Sequence, residues 1–131
     1  MDATEHIPTQ PPLIYVVDDE PMLLELIAAI LEPKGYRVRC FSDALNALQH
    51  YSEADPKPDL VITDFSMPDL IGSDLISKCR EQNAAQKVLM ISGTVEGGDI
   101  PSVGQPDCFL PKPYRYQELT EVVERMVPMP V

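Results

Sequence analysis

Acidic side chains recur at the ends of apolar runs. Asp18, Asp19 and Glu20 follow the run LIYVV at 13–17, and Asp64 follows LVIT at 60–63. Ser92 follows KVLMI at 87–91, and Lys112 lies just past the short run at 108–110. If a fold brings these residues together, carboxylates facing one cleft repel one another. Two unit charges ~4 Å apart at an effective dielectric of about 20 cost about 4 kcal/mol. Such a cluster needs protons, a basic residue or a cation. All-oxygen donors with several open positions suit a hard, partly hydrated ion, which means Mg²⁺ before Zn²⁺. Lys112 supplies a further compensating charge. A carboxylate beside a cation and a lysine can attack a phosphoryl group, because the positive charges stabilise the negative charge spread over its oxygens.

The elements that would position these groups follow from local pattern. The run at 13–17 reads as a strand buried on both faces. Pro21, with acids just ahead of it, marks a helix start. Leu23, Leu26, Ile27, Ile30 and Leu31 recur at helical spacing and are expected to form its core stripe, with Leu24 and Ala28 off it. The helix should end at Pro33 or in the Lys34-Gly35 turn. Residues 36–41 (YRVRCF) alternate apolar and basic, as an edge strand does. Ser42 or Asp43 caps a second helix reaching about Tyr51. Strand 60–63 leads through Met67-Pro68 to a helical pattern over 70–80. Strand 87–91, a short strand at 108–110 and a last helix over 116–126 complete the order.

Strands alternating with helices predict an α/β fold, a flavodoxin-like doubly wound sheet of five parallel strands in order 2-1-3-4-5 with helices on both faces. Strands 2 and 5 are then edges, which suits Arg37 and Arg39 on one and Pro111 on the other. Between Gly93 and Phe109 a fourth helix is expected to be short or irregular, since Gly97, Gly98, Pro101, Gly104 and Pro106 interrupt it. In an open parallel sheet, ligands bind beyond the carboxyl ends of the strands where strand order reverses. All the groups named above fall there.

Composition narrows the classes of function. The chain has 131 residues with 10 basic and 21 acidic side chains, a formal charge of −11. That length suits one domain. The acidic balance, with no run of Lys or Arg, argues against nucleic acid and favours a basic partner or a cation. No apolar run approaches the ~20 residues that span a bilayer, and residues 1–10 do not read as a secretion signal, so a cytoplasmic protein with no membrane association is expected. Cys40, Cys79 and Cys108 are far apart, lack metal-knuckle spacing and are expected to be reduced, buried packing residues. Fourteen prolines punctuate the chain between apolar segments.

Taken together, VVDDEP at 16–21, VITDFSMPD at 61–69, LMISG at 89–93 and FLPKP at 109–113 resemble the receiver domain of two-component response regulators. The resemblance covers about 13–127, with residues 1–12 a disordered tail and 128–131 a short one. It implies that Asp64 accepts a phosphoryl group from a phosphohistidine. It implies that Asp18, Asp19, Asp64 and the backbone carbonyl of Ser66 hold Mg²⁺. Lys112 would pair with the phosphate, the Ser92 hydroxyl would swing toward it, and Phe109 would be the aromatic switch. The only histidines are His6 in the tail and His50 near a helix end, both expected on the surface. The phosphodonor is therefore expected to be a sensor histidine kinase or a histidine phosphotransfer protein. Leu24 and Ala28 are either incidental surface apolars or part of a partner-docking patch, as the first helix is in the family. Ser66 and Thr94 stand where the family tunes loss of the phosphoryl group. Neither brings an acid or amide to orient water, so a long-lived phospho-form is expected.

The function expected is a stand-alone receiver in a phosphorelay, with VPMPV alone after the last helix and output through changed binding of an unidentified downstream protein. It is not expected to be an enzyme beyond self-directed phosphoryl transfer and slow autodephosphorylation. One alternative is a receiver excised from a hybrid sensor kinase. Another is an aspartyl-nucleophile phosphatase on a related sheet, which would want Asp-x-Asp where this chain has Asp64-Phe65-Ser66. A flavodoxin-type nucleotide binder would want Ser, Thr or Gly in the first loop in place of Asp18-Asp19-Glu20. A degenerate scaffold would have lost some of the acids or the lysine.

Overall fold

Runs that are apolar at every position become the inner strands, because each has a helix layer on both sides. The structure, a computed structural model, describes residues 10–65, 70–93 and 105–129. Among the described residues there are five strands and four α-helices. They run β1 (Leu13–Val17), α1 (Pro21–Leu31), a 3-10 turn (Glu32–Lys34), β2 (Arg37–Phe41), α2 (Ala44–Glu53), β3 (Leu60–Asp64), α3 (Gly72–Gln82), β4 (Val88–Ser92), β5 (Cys108–Pro111) and α4 (Tyr116–Met126). All pairings are parallel and the order is β2-β1-β3-β4-β5. The expected doubly wound sheet and both of its edges are therefore present. The expected short or irregular helix after Gly93 falls mainly on 94–104, outside the described residues.

Strand alternation divides the core into two layers. Ile14, Val16, Leu60, Ile62, Leu89, Ile91 and Leu110 face one way, onto Leu24, Ile27 and Leu31 of α1 and Leu119, Val123 and Met126 of α4. Tyr15, Val17, Val61, Val88 and Met90 face the other, onto Ala44, Ala47 and Tyr51 of α2 and Leu75, Ile76 and Cys79 of α3. The sheet is thus anchored on both sides, and its strand ends become fixed points on which loops can place side chains.

Three expectations need correction. The buried stripe of α1 is Leu24, Ile27 and Leu31, while Leu23 and Leu26 are half-exposed. The helix sequence PMLLELIAAIL is apolar around most of its circumference, so spacing alone does not choose the face. Packing against β1, β2 and α4 chooses it. Cys40 is exposed and Cys108 half-buried, leaving Cys79 as the only fully buried thiol. Cys40 stands on edge strand β2, where one flank has no partner strand. The Pro11 and Pro12 carbonyls accept the Arg37 Nε–H and N–H at 2.9 and 3.0 Å. His50 is half-buried against the Phe41 ring, with centroids 5.1 Å apart.

The turn into β2 depends on Gly35, whose φ of +103° lies in the left-handed region. A Cβ there would also meet Met129 Cε at 2.9 Å, a flexible tip that can move aside. The backbone conformation is therefore the larger obstacle. Gly35→Ala is expected to destabilise the fold by about 1–2 kcal/mol. Urea unfolding followed by circular dichroism checks this, and an unchanged midpoint would refute it.

Candidate functional site

The reversal of strand order lies between β1 and β3, and the acidic residues project from that end. Asp18 directly follows β1, its N–H extending the ladder to the Phe41 carbonyl at 3.1 Å. Its Oδ1 accepts the Glu20 N–H at 2.9 Å, which folds the chain into the first turn of α1 at Pro21. This local bond orients the carboxylate while the residue is 5% exposed. Asp19 is exposed beside it. Asp64 ends β3 in register with Ile91, and the next N–H, of Phe65, reaches the Ile91 carbonyl at 3.2 Å. Asp18, Asp19 and Asp64 each bring one carboxylate oxygen to within 4.8 Å of the others.

Lys112 enters from the opposite side. It follows β5, and its N–H donates to the Ser92 carbonyl at 2.9 Å, which ties the end of β5 to the end of β4. Its Nζ lies 3.4 Å from Asp64 Oδ1. The Lys112–Pro113 peptide is cis. Ser92 is buried at the end of β4, in register with Pro111. Phe109 is half-buried, in register with Met90, and packs on the layer shared with α2 and α3. The structure thus brings Asp18, Asp19, Asp64 and Lys112 together and puts Ser92 at the adjoining strand end. Ser66, Thr94, His6 and the Met67-Pro68 turn lie outside the described residues.

The electrostatics are unbalanced. Burial is the main cause that pushes Asp18 up from 3.8 to about 6; the Asp64 and Asp19 charges add to it, while the Glu20 N–H and Lys112 oppose it. Burial also raises Tyr114, with the Asp18 charge as the next cause. One lysine against three converging carboxylates leaves an excess of negative charge among hard oxygen donors. That arrangement can take a hard divalent cation, or a phosphoryl group held between cation and lysine.

Two neighbours of the site escape a reading of the sequence. Tyr114 packs beside Asp18 on the core layer of α1 and α4. Gly72 opens α3 directly against the backbone of Asp64 and Phe65. A glycine inside a pattern read as helical from residue 70 was the available signal.

The family model described as response regulator receiver domain matches residues 14–124. The probable transcriptional regulatory protein TcrX of Mycobacterium tuberculosis is 30% identical over 112 residues, covering 84% of this chain and 47% of its own length. The response regulator protein TmoT of Ectopseudomonas mendocina is 32% identical over 121 residues, covering 88% and 52%. The chain thus spans about half the length of these curated relatives. Among solved structures, the response regulator protein TrrA of Thermotoga maritima, in complex with Mg²⁺-BeF, superposes with a TM-score of 0.80 at 27% identity, covering 88% of this chain and 99% of that one.

Proposed function

The chain belongs to the response regulator receiver domain family, and on that premise we propose that it accepts a phosphoryl group on Asp64 and signals through a changed affinity for a partner protein. The observation that carries this reading is the Asp64 carboxylate at the end of β3, 3.4 Å from Lys112 and grouped with Asp18 and Asp19.

The donor set fits Mg²⁺. Its oxygens are hard, and Asp18 is pushed up to about 6 by burial and like charges, which the Glu20 N–H and Lys112 offset only in part. Asp18, Asp19, Asp64 and the Ser66 carbonyl would hold the ion. When bound, Mg²⁺ supplies positive charge opposite the phosphoryl oxygens. The chain's own groups do the rest. An Asp64 carboxylate oxygen forms a bond to phosphorus as the phosphorus–nitrogen bond of a phosphohistidine breaks. The electron pair stays on the imidazole nitrogen, which takes a proton from solvent, and Asp64 becomes an acyl phosphate. Lys112 pairs with the phosphoryl oxygens, and the Ser92 hydroxyl donates to one of them. Because Ser92 and Lys112 share a backbone bond, movement of one is felt by the other, and Phe109 on β5 is placed to follow.

The phosphodonor is a sensor histidine kinase or a histidine phosphotransfer protein; His50, packed against Phe41, does not belong to the cluster. Its docking surface lies on the side of α1 that the core leaves open. Leu23, Leu26, Pro113, Tyr114 and Tyr116 line a groove of about 450 Å³ next to Lys112. Met22, one residue before Leu23 on α1, is 80% exposed. Leu24, buried, plays no part in the groove. Among the described residues no helix is long and apolar enough to cross a membrane.

The test is incubation with Mg²⁺ and a small phosphodonor such as phosphoramidate, read by intact mass. One phosphoryl group is expected on the wild-type chain and none on Asp64→Asn. Removal of Mg²⁺ by chelation should stop the reaction. An unmodified wild-type protein, or equal labelling of Asp64→Asn, would sink the proposal.

A further inference from the structure

The first residue of α3 is a glycine although glycine weakens a helix by about 1 kcal/mol relative to alanine. Its φ is not in the left-handed region, where Gly35 is the only described glycine, so conformational freedom is not the reason. Space is. A Cβ built on Gly72 would lie 2.5 Å from the Asp64 carbonyl oxygen, 3.1 Å from Phe65 Cα and 3.3 Å from the Asp64 carbonyl carbon. All three are backbone atoms, so no side chain can turn aside. An ordinary contact begins near 3.4 Å, and reaching it means a shift of about 0.9 Å.

The same glycine makes a bond as well as leaving room. Its N–H, one of the orphan donors of a helix start, reaches the Phe65 carbonyl at 2.7 Å. The chain therefore leaves Asp64 and Phe65 and at Gly72 is back against the same two residues. On the other side, the buried Thr63 hydroxyl donates to the Asp64 carbonyl at 2.9 Å. The Asp64 main chain is thus gripped by the β4 ladder, the Thr63 hydroxyl and the bare backbone of Gly72. Its carboxylate, with two side-chain torsions, has to be delivered from that point to Lys112 and the other acids.

Resting on the phosphoacceptor reading of Asp64, we infer that Gly72 is a positioning residue for phosphoryl acceptance, and that its lack of a side chain sets where the Asp64 carboxylate stands. A misplacement of about 1 Å at a reacting group can slow a reaction about 100-fold. Gly72→Ala is expected to lower the saturating rate of Asp64 phosphorylation by roughly 10–100-fold, with a much smaller change in the phosphodonor concentration giving half that rate.

Leu31→Ala, a fully buried position at the far end of α1, separates positioning from loss of stability. It is expected to lower the melting temperature while keeping the wild-type rate per folded molecule. A wild-type rate per folded molecule in Gly72→Ala, or an equal slowing in Leu31→Ala, would overturn the inference. If Gly72→Ala does not fold, Thr63→Val releases the opposite grip without adding volume. It should also slow the saturating rate, and an unchanged rate there overturns the inference. Wild type and Asp64→Asn run alongside: an unlabelled wild-type chain overturns the phosphoacceptor reading itself, a different result from failure of the Gly72 effect.

Discussion

Asp18→Asn is expected to stabilise the metal-free protein by about 2–3 kcal/mol at pH 8 and to abolish stabilisation by Mg²⁺. In the folded chain Asp18 is held near 6 against an ordinary 3.8, chiefly by burial. A pKa difference of one between folded and unfolded chain is worth about 1.4 kcal/mol, so the charged form is disfavoured by roughly 3 kcal/mol. The sign follows from proton binding. As pH falls through about 6 the native chain takes up a proton before the unfolded chain does, so wild-type stability rises between about 6 and 3.8. An amide has no such charge. The advantage of the variant is therefore full above pH 6 and vanishes below about 3.8. The new side chain keeps an oxygen to accept the Glu20 N–H, so the turn into α1 survives. Mg²⁺ closes the gap. At about 100 times its dissociation constant a ligand adds about 2.7 kcal/mol to the folded wild type, and the variant should gain almost nothing. Melting curves at pH 4 and 8, with and without Mg²⁺, read all four values. Equal metal-free stability at pH 8 would refute the account of Asp18.

What could be read from the residues divides along physical lines. The inner strands were legible because burial on both faces demands unbroken apolar runs, and LIYVV at β1 and LVIT in β3 are such runs. Pro21 marked the start of α1 because only the first turn tolerates a missing N–H. The phase of α1 was not legible. Leu23 and Leu24 are adjacent and equally apolar, and the choice between them is made by β2 and α4, which lie far away in sequence. The convergence of Asp18, Asp64 and Lys112 was legible because strand order places those strand ends side by side. The role inferred for Gly72 was not, because it rests on an interatomic distance across a turn and leaves no periodic trace. Nor was the double use of Asp18, buried cluster member and hydrogen-bond acceptor for Glu20, since both depend on how β1 and α1 join.

Replacement of Lys112 should separate stability from reaction rate. Its ammonium is about a third exposed and its partner Asp64 is mostly covered, at a distance of 3.4 Å. Solvent screening limits such a pair to roughly 1 kcal/mol of folding stability. Its main-chain anchor, the N–H on the Ser92 carbonyl, does not depend on the side chain and remains in any variant but proline. Lys112→Ala is thus expected to fold with a melting temperature only a few degrees lower. The rate should change far more. During transfer, negative charge passes onto phosphoryl oxygens beside Asp18, Asp19 and Asp64, and Lys112 is the ammonium 3.4 Å from the accepting carboxylate. A preorganised donor aimed at such charge is worth about 100- to 1,000-fold in rate. The saturating rate of Asp64 phosphorylation is expected to fall by about that factor. Lys112→Arg restores the charge but replaces a compact ammonium with a wide planar group, so it should recover only part of the loss. Quenched-flow or intact-mass time courses with a small phosphodonor measure both variants, and a Lys112→Ala rate within about threefold of wild type would show that Lys112 does not face the transferring group.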